Sequence, residues 1–336
     1  MRRMSSKIPV IFCIDVEPDH RQVRRHSPEP WLGYERMQRY LSELRPRIEE
    51  ISGAPVHYAW FFRMDPQVAA AYGSASWAID RYPRFIEEIE RQGDELGIHV
   101  HSFRWVEAEQ VWIQDFADQH WVDHCVESSL EAFARAVGRR CLAFRFGSFW
   151  VSTESVNLVE RMGVRFELTI EPGRLPIEVS LPASLSGAPG TGSLPDFRRV
   201  PRAPYVPSES DFRRPLRSGS RSICMIPLTS GSLRLGFRPR AYLRRLVDNG
   251  FRYRRQDTPL SMWRRWKAPN TFSQMLDGAL AAQARPYLAF AIEVAGTGVR
   301  PEIFEAVDSC LSALLAHPAR SRFVFSTPQE AVRILT

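Results

Sequence analysis

Gly97-Ile98-His99-Val100-His101-Ser102 sets two histidines two residues apart, after the apolar-patterned Phe85, Ile86 and Ile89 and the break Gln92-Gly93-Asp94. On a strand, residues i and i+2 point to the same face. Imidazole is a common metal ligand and binds in its neutral form near physiological pH. Such a pair supplies two ligands of a divalent site and needs a third, usually a carboxylate. Glu17, in Phe12-Cys13-Ile14-Asp15-Val16-Glu17, is the candidate. The competing reading makes one histidine a hydrogen-bonded core residue and the other a surface residue. Taken alone the pair does not decide between them; the upstream Asp15-Val16-Glu17 favours the metal.

The segment that carries Glu17 also speaks for the fold. Ile8 to Ile14 is a near-continuous apolar run, as in a strand of a parallel sheet covered on both faces. Asp15 and Glu17 then fall where that strand ends, and α/β folds place their sites at the carboxyl ends of strands. Two carboxylates so close suggest either a metal site with a base beside it or a hydrogen-bonded loop. Downstream, a helix is expected over Trp31–Ile51 (Met37, Leu41, Leu44 and Ile48 on one face) and a strand over Val56–Phe62. The alternation continues with helix Arg81–Gln92 and strand Glu95–Val100, helix Trp121–Val137 and strand Ala143–Phe146, then helix Glu154–Met162 and strand Val164–Leu168. Strand Ser222–Pro227, an arginine-rich helix Pro239–Val247, a buried strand Tyr287–Ile292 ending at Glu293, helix Pro301–His317, strand Arg322–Phe325 and helix Thr327–Leu335 complete it. Such β-α alternation predicts a parallel sheet or barrel.

Residues 174–221 change character. They are rich in Pro, Gly, Ser and Arg, as in Ser186-Gly187-Ala188-Pro189-Gly190-Thr191-Gly192, and read as a long loop, either a substrate lid or rim or a surface loop. No linker divides the chain cleanly, so residues 1–336 are read as one domain with this insertion. His120 and His124, spaced i, i+4, could share a helix face, but no carboxylate stands at a metal-site spacing and an amphipathic helix explains them better. Trp263-Arg264-Arg265-Trp266-Lys267 could stack sugars or bases; two tryptophans tucked into the core is the stronger reading.

The 336 residues are 44% hydrophobic and 25% charged, ordinary for a globular protein. The five cysteines are scattered and odd in number, which argues against a disulfide framework and for a reducing compartment. The basic start Met1–Lys7 meets an apolar run too short for a signal peptide, and no stretch approaches the ~20 apolar residues of a transmembrane helix. A cytoplasmic location is expected. The net charge of +7 is almost wholly arginine against acids, since Lys7 and Lys267 are the sole lysines. No nucleic-acid motif accompanies it, so no nucleic-acid partner is expected; such a partner would require a basic stripe and steep salt dependence.

Asp15-Val16-Glu17, the run Gly93-Asp94-Glu95-Leu96-Gly97-Ile98-His99-Val100-His101 and Phe144-Arg145-Phe146-Gly147 together resemble, in order and spacing, the first three motifs of the polysaccharide deacetylase family (NodB homology, carbohydrate esterase family 4). Met162–Glu167, Pro204–Ser208 with Met225–Pro227, and Phe323–Leu335 resemble its later stretches, so the likeness spans nearly the whole chain. It implies a distorted (β/α) barrel with a divalent ion, commonly zinc, at the strand ends. It implies Asp15 as general base, Glu17 and His99 as metal ligands, and Arg145 as the partner that orients Asp15. Two departures stand out. The family's second histidine comes at i+4, where this chain has Phe103, so His101 is taken as the third ligand instead. The late histidine that serves as general acid is also missing, and Glu293 is the candidate in its place. The activity implied is metal-dependent removal of an acetyl or other acyl group from an amino sugar or saccharide intermediate of glycan assembly. Hydrolysis of a non-sugar C–N bond at the same site, or a saccharide-binding protein that has lost the acid and its activity, are the alternatives.

Overall fold

The computed structural model describes residues 7–26, 29–179, 190–231, 258–262, 271–295 and 300–336. The expected helix 239–247, the segment 263–267 and part of the 174–221 insertion lie outside the described residues. The strands are β1 (Ile8–Val16), β2 (Ala59–Arg63), β3 (Glu95–Val100), β4 (Phe103–Val106), β5 (Val111–Asp115), β6 (Ala143–Phe146), β7 (Phe166–Glu167), β8 (Ile177–Val179), β9 (Gly190–Leu194), β10 (Cys224–Met225), β11 (Ser230–Gly231), β12 (Thr258–Pro259), β13 (Leu288–Glu293) and β14 (Phe323–Phe325).

Eight of these make one sheet in the order β10-β7-β6-β3-β2-β1-β13, with β14 paired to the start of β1. Every pairing in it is parallel. All nine residues of β1 are buried, as its unbroken apolar run requires of a strand covered on both faces. The sheet curls until its ends meet. Beyond β10, Thr229 N–H donates to Ala289 O of β13 at 2.9 Å, and Ala289 N–H donates back to Thr229 Oγ1 at 2.8 Å. The result is a distorted (β/α) barrel.

Strand alternation sorts the side chains into two cores. Val10, Phe12, Ile14, Trp60, Phe62, Ile98, Phe144 and Phe290 face out, into the apolar layer that includes helix side chains. Ile11, Cys13, Ala59, Phe61, Ala143, Ala289 and Ala291 face in and form a small apolar plug with Leu168, Ile226 and Leu228. Most of these inner strand residues are small because a narrow barrel has little room; Phe61 is the large one. Gly97 is the limiting case, since a Cβ there would lie 2.7 Å from Ala143 O and 2.8 Å from the Phe61 ring. One step further along the same faces the plug gives way to charge. Arg63, His99 and Arg145 stand in register across β2, β3 and β6, and Asp15 is in register with Glu293 of β13.

The helices follow the expected alternation with local corrections. α1 covers Leu32–Ser52, with Tyr34, Met37, Leu41 and Ile48 buried and Gly53 closing it in the left-handed conformation (φ 67°). At its start Asp19 accepts from Leu32 N–H at 2.8 Å and Gly33 N–H at 2.9 Å. α2 (Pro66–Tyr72) and α3 (Trp77–Arg81) are not in the sequence reading, and the helix expected over 81–92 is α4 (Pro83–Arg91), separated from α3 by Tyr82. Pro83 has no N–H to donate and biases Tyr82 away from helix, so the two cannot be continuous. α5 is Gln119–Val137 and α6 is Thr153–Arg161, each N-capped by a side chain, Asp118 and Ser152. Helices Thr271–Ala281, Pro301–Leu315 and Pro328–Leu335 follow, the last with a capping box made by Thr327 and Glu330. Among the described residues no helix is long and apolar enough to cross a membrane.

A larger correction concerns the second sheet, β4-β5-β9-β8. β4 and β5 form a hairpin straight after the histidine pair, and β8 and β9 arise from the segment expected to be loop. β9 reads as loop because it is Gly-Thr-Gly-Ser-Leu, yet its glycines are what let it pack. A Cβ on Gly190 would lie 2.7 Å from Val179 and 2.9 Å from Gln114 O, and one on Gly192 (φ 93°) 2.8 Å from the backbone of Phe116 and Ala117.

The packing of Gly97 makes a prediction. Gly97→Ala should cost about 1–3 kcal/mol by overpacking, read as a lower midpoint of denaturant unfolding. An unchanged midpoint would mean that the interior has room that the structure does not show.

Candidate active site and metal centre

Glu17 follows the last residue of β1, His99 lies in β3, and His101 follows the last residue of β3. Strand order makes them neighbours with only β2 between. One ligand atom from each lies within 4.8 Å of the others. His99 Nε2 is 3.0 Å from His101 Nε2, and His101 Nε2 is 3.4 Å from Glu17 Oε2. The three residues are 2–3% exposed. Among the described residues, Glu17 Oε2 and the Nδ1 atoms of both histidines have no hydrogen-bond partner. A buried carboxylate oxygen without a donor is costly, so the arrangement calls for a cation.

Burial, with the neighbouring imidazole adding to it, holds His99 well below its ordinary value of 6.5. Burial first and then the Arg63 charge do the same for His101. Both rings are therefore neutral at neutral pH, the form that binds a metal. Two imidazole nitrogens and one carboxylate oxygen are a protein donor set that catalytic divalent sites use, so these residues fit the ion that the sequence implies. His101 is fixed tightly. Its ring stacks on Phe103 at 5.3 Å, and on Gly147 a Cβ would come within 2.3 Å of it. Gly147 begins a turn in which Ser148 (φ 54°) and Phe149 (φ 61°) both adopt the left-handed conformation.

Arg145, on β6, grips Asp15 with two bonds, Nε to Oδ1 at 2.7 Å and a terminal nitrogen to Oδ2 at 2.9 Å, while its other terminal nitrogen donates to Leu168 O. Asp15 Oδ1 is 3.8 Å from His99 Nδ1. Burial pushes the Asp15 carboxyl up from its ordinary range, with the Arg145 charge opposing. Glu293 is also pushed up by burial, and Arg21, which donates to its Oε1 at 2.9 Å, opposes that. The five residues Asp15, Glu17, His99, His101 and Arg145 thus come together as the sequence suggested. Glu293 stands beside Asp15 in register but is engaged by Arg21. His120 and His124 are exposed on α5.

The sequence reading passed over a second buried ion pair. Arg63 and Asp65 are fully buried, joined by Nε to Oδ2 at 2.8 Å and a terminal nitrogen to Oδ1 at 2.9 Å, and Gln67 Oε1 accepts from the same arginine at 2.6 Å. The signal was present in Arg63-Met64-Asp65, two opposite charges on one face at the end of an otherwise apolar strand. Glu167 was passed over as well. Its carboxyl is fully buried, and burial pushes it up to about 7 against the Thr169 hydrogen bonds and the Arg145 charge.

These imidazoles give metal-free protein a defined pH response. Below 6.5 the unfolded chain takes up protons on both rings while the native state resists; above it neither state does. Stability is therefore lost as pH falls, by up to about 1.4 kcal/mol per pH unit for each ring. Unfolding of chelator-treated protein between about pH 5 and 8 should show this slope, and a His99→Gln/His101→Gln variant should lack it. Parallel curves would contradict the assignment.

No protein-family model matches the chain, and no curated protein does. Solved structures do match. A Parabacteroides distasonis protein assigned as a glycoside hydrolase/deacetylase aligns over 98% of this chain and 71% of its own, with 13% identity and a TM-score of 0.53. A Mycobacterium smegmatis protein assigned as a polysaccharide deacetylase aligns over 99% of this chain and 92% of its own, with 14% identity and a TM-score of 0.48. A Pseudomonas aeruginosa PAO1 protein assigned likewise aligns over 98% and 91%, with 13% identity and a TM-score of 0.47. Across nearly its whole length, this chain is similar in fold to the glycoside hydrolase/deacetylase structure, and that fold is a distorted (β/α) barrel.

Proposed function

We propose that the chain is a metal-dependent hydrolase that removes an acetyl or other acyl group from an amino sugar or saccharide intermediate. The observation that carries this reading is the convergence of Glu17, His99 and His101 at the strand ends, with the Asp15–Arg145 pair beside His99. Glu17, His99 and His101 would hold the ion, which when bound polarises a carbonyl and lowers the pKa of water. Asp15 is the general base. Its carboxyl sits above the ordinary range through burial, which makes it a stronger base than an exposed carboxylate. Arg145 keeps that carboxylate charged and fixes both its oxygens, so the proton has one defined destination. Glu293 is the proposed acid, raised by burial for that task. Its ion pair with Arg21 supports a second reading, a saccharide-binding protein on the same fold whose acid is tied up.

Acetate release from a panel of N- and O-acetylated sugars and non-sugar amides separates the two. The wild type should release acetate, and Asp15→Asn should lower kcat by about 10²–10⁴-fold while leaving metal uptake intact. Release that Asp15→Asn does not change would remove Asp15 from the chemistry. Saccharide binding without release from any compound would favour the binding protein.

A further inference from the structure

The two buried groups nearest the metal ligands that the proposed chemistry leaves unused are Arg63 and Asp65. β2, which carries Arg63, lies between β1, which leads to Glu17, and β3, which leads to His101. Asp65 Oδ2 accepts the backbone N–H of His101 at 3.1 Å, and Oδ1 accepts Val68 N–H at 3.3 Å at the start of α2. On the other side, a terminal nitrogen of Arg63 lies 3.8 Å from Glu17 Oε2, and neither atom has a hydrogen-bond partner among the described residues. Gln67, which accepts from Arg63, donates its own amide to Arg21 O at 2.9 Å, so the network reaches the segment whose guanidinium holds Glu293. The Arg63 guanidinium also lies over the Phe103 ring, 5.3 Å from its centre, and that ring stacks on His101.

We propose that Arg63 and Asp65 are positioning residues for the metal, a two-pronged buried pair on the middle strand that sets the distance between Glu17 on one side and His101 on the other. This rests on the metal-site reading above. Arg63 places a positive charge 3.8 Å from Glu17 Oε2 and so keeps that carboxylate facing the imidazoles. Asp65 neutralises that guanidinium, so that it does not repel a dication, and fixes the His101 backbone at the same time. The planar fork matters as much as the charge, because lysine cannot make two parallel bonds to one carboxylate. Groups that orient metal ligands in this way commonly change metal affinity by about 10–100-fold.

The test uses the full chain and Zn2+ itself, with affinity measured by competition against a chelator for wild type, Asp65→Asn and Arg63→Lys. Circular dichroism checks the fold, and the visible spectrum of Co2+-loaded protein reports the ligand geometry. Zn2+ affinity about 10–100-fold weaker in both variants, with native circular dichroism and an altered Co2+ spectrum, supports the proposal. Wild-type affinity and spectrum in folded variants overturn it while leaving the metal site standing. A wild type that takes up no Zn2+ overturns the metal site and the clamp together. Should the two variants not fold, Gln67→Leu removes one bond from the clamp. Weaker Zn2+ binding there supports the proposal, and unchanged binding overturns it.

Discussion

A carboxylate oxygen of Glu17 lies buried against two neutral imidazoles and meets no hydrogen-bond donor among the described residues. Everything near it is arranged around that condition. An unpaired buried charge would ordinarily be removed by protonation or by exposure. The strand ends hold Glu17 in place, and three acids beside it each have a cation of their own. Asp15 has Arg145, Asp65 has Arg63, and Glu293 has Arg21. Three such pairs are internally balanced. Glu17, 3.8 Å from Arg63, is the acid of the group that has a salt-bridge contact but no hydrogen bond. A divalent ion between Glu17 and the histidines answers that imbalance with the ligand types that zinc accepts.

The barrel makes this arrangement affordable. The lower part of its interior is filled by alanines, aliphatics and the rings of Phe61 and Tyr287, which leaves the charged layer resting on an apolar floor. A low-dielectric floor strengthens the Asp15–Arg145 and Arg63–Asp65 pairs, and it also makes the loss of one partner severe. Gly97 and Gly147 serve the same layer from below and from the side. One leaves space for Phe61 under the histidines, and the other lets the β6 turn close against the His101 ring.

Much of the site could be read from the sequence because its residues obey local rules. Two histidines at i and i+2 face one way on any strand, and Asp15 and Glu17 do the same at the end of the first. Arg145 was legible only through family resemblance, since nothing near it in sequence reveals its partner 130 positions away. Arg63 and Asp65 were not read as site residues. Their meaning comes from β2 lying between β1 and β3, and strand order is not a local property. β8 and β9 were missed for a related reason. Gly190 and Gly192 look like loop residues, and only the approach of Val179, Gln114 and Phe116 turns them into a requirement of a strand. The Tyr82–Pro83 break, by contrast, was available from the proline alone.

The central claim is that Glu17, His99 and His101 form one divalent metal site. Elemental analysis of purified wild type and His99→Ala, side by side, tests it most directly. The account predicts close to one divalent ion per wild-type chain and little or none in the variant. Wild-type protein with no bound ion, and none taken up on dialysis against zinc, would contradict it.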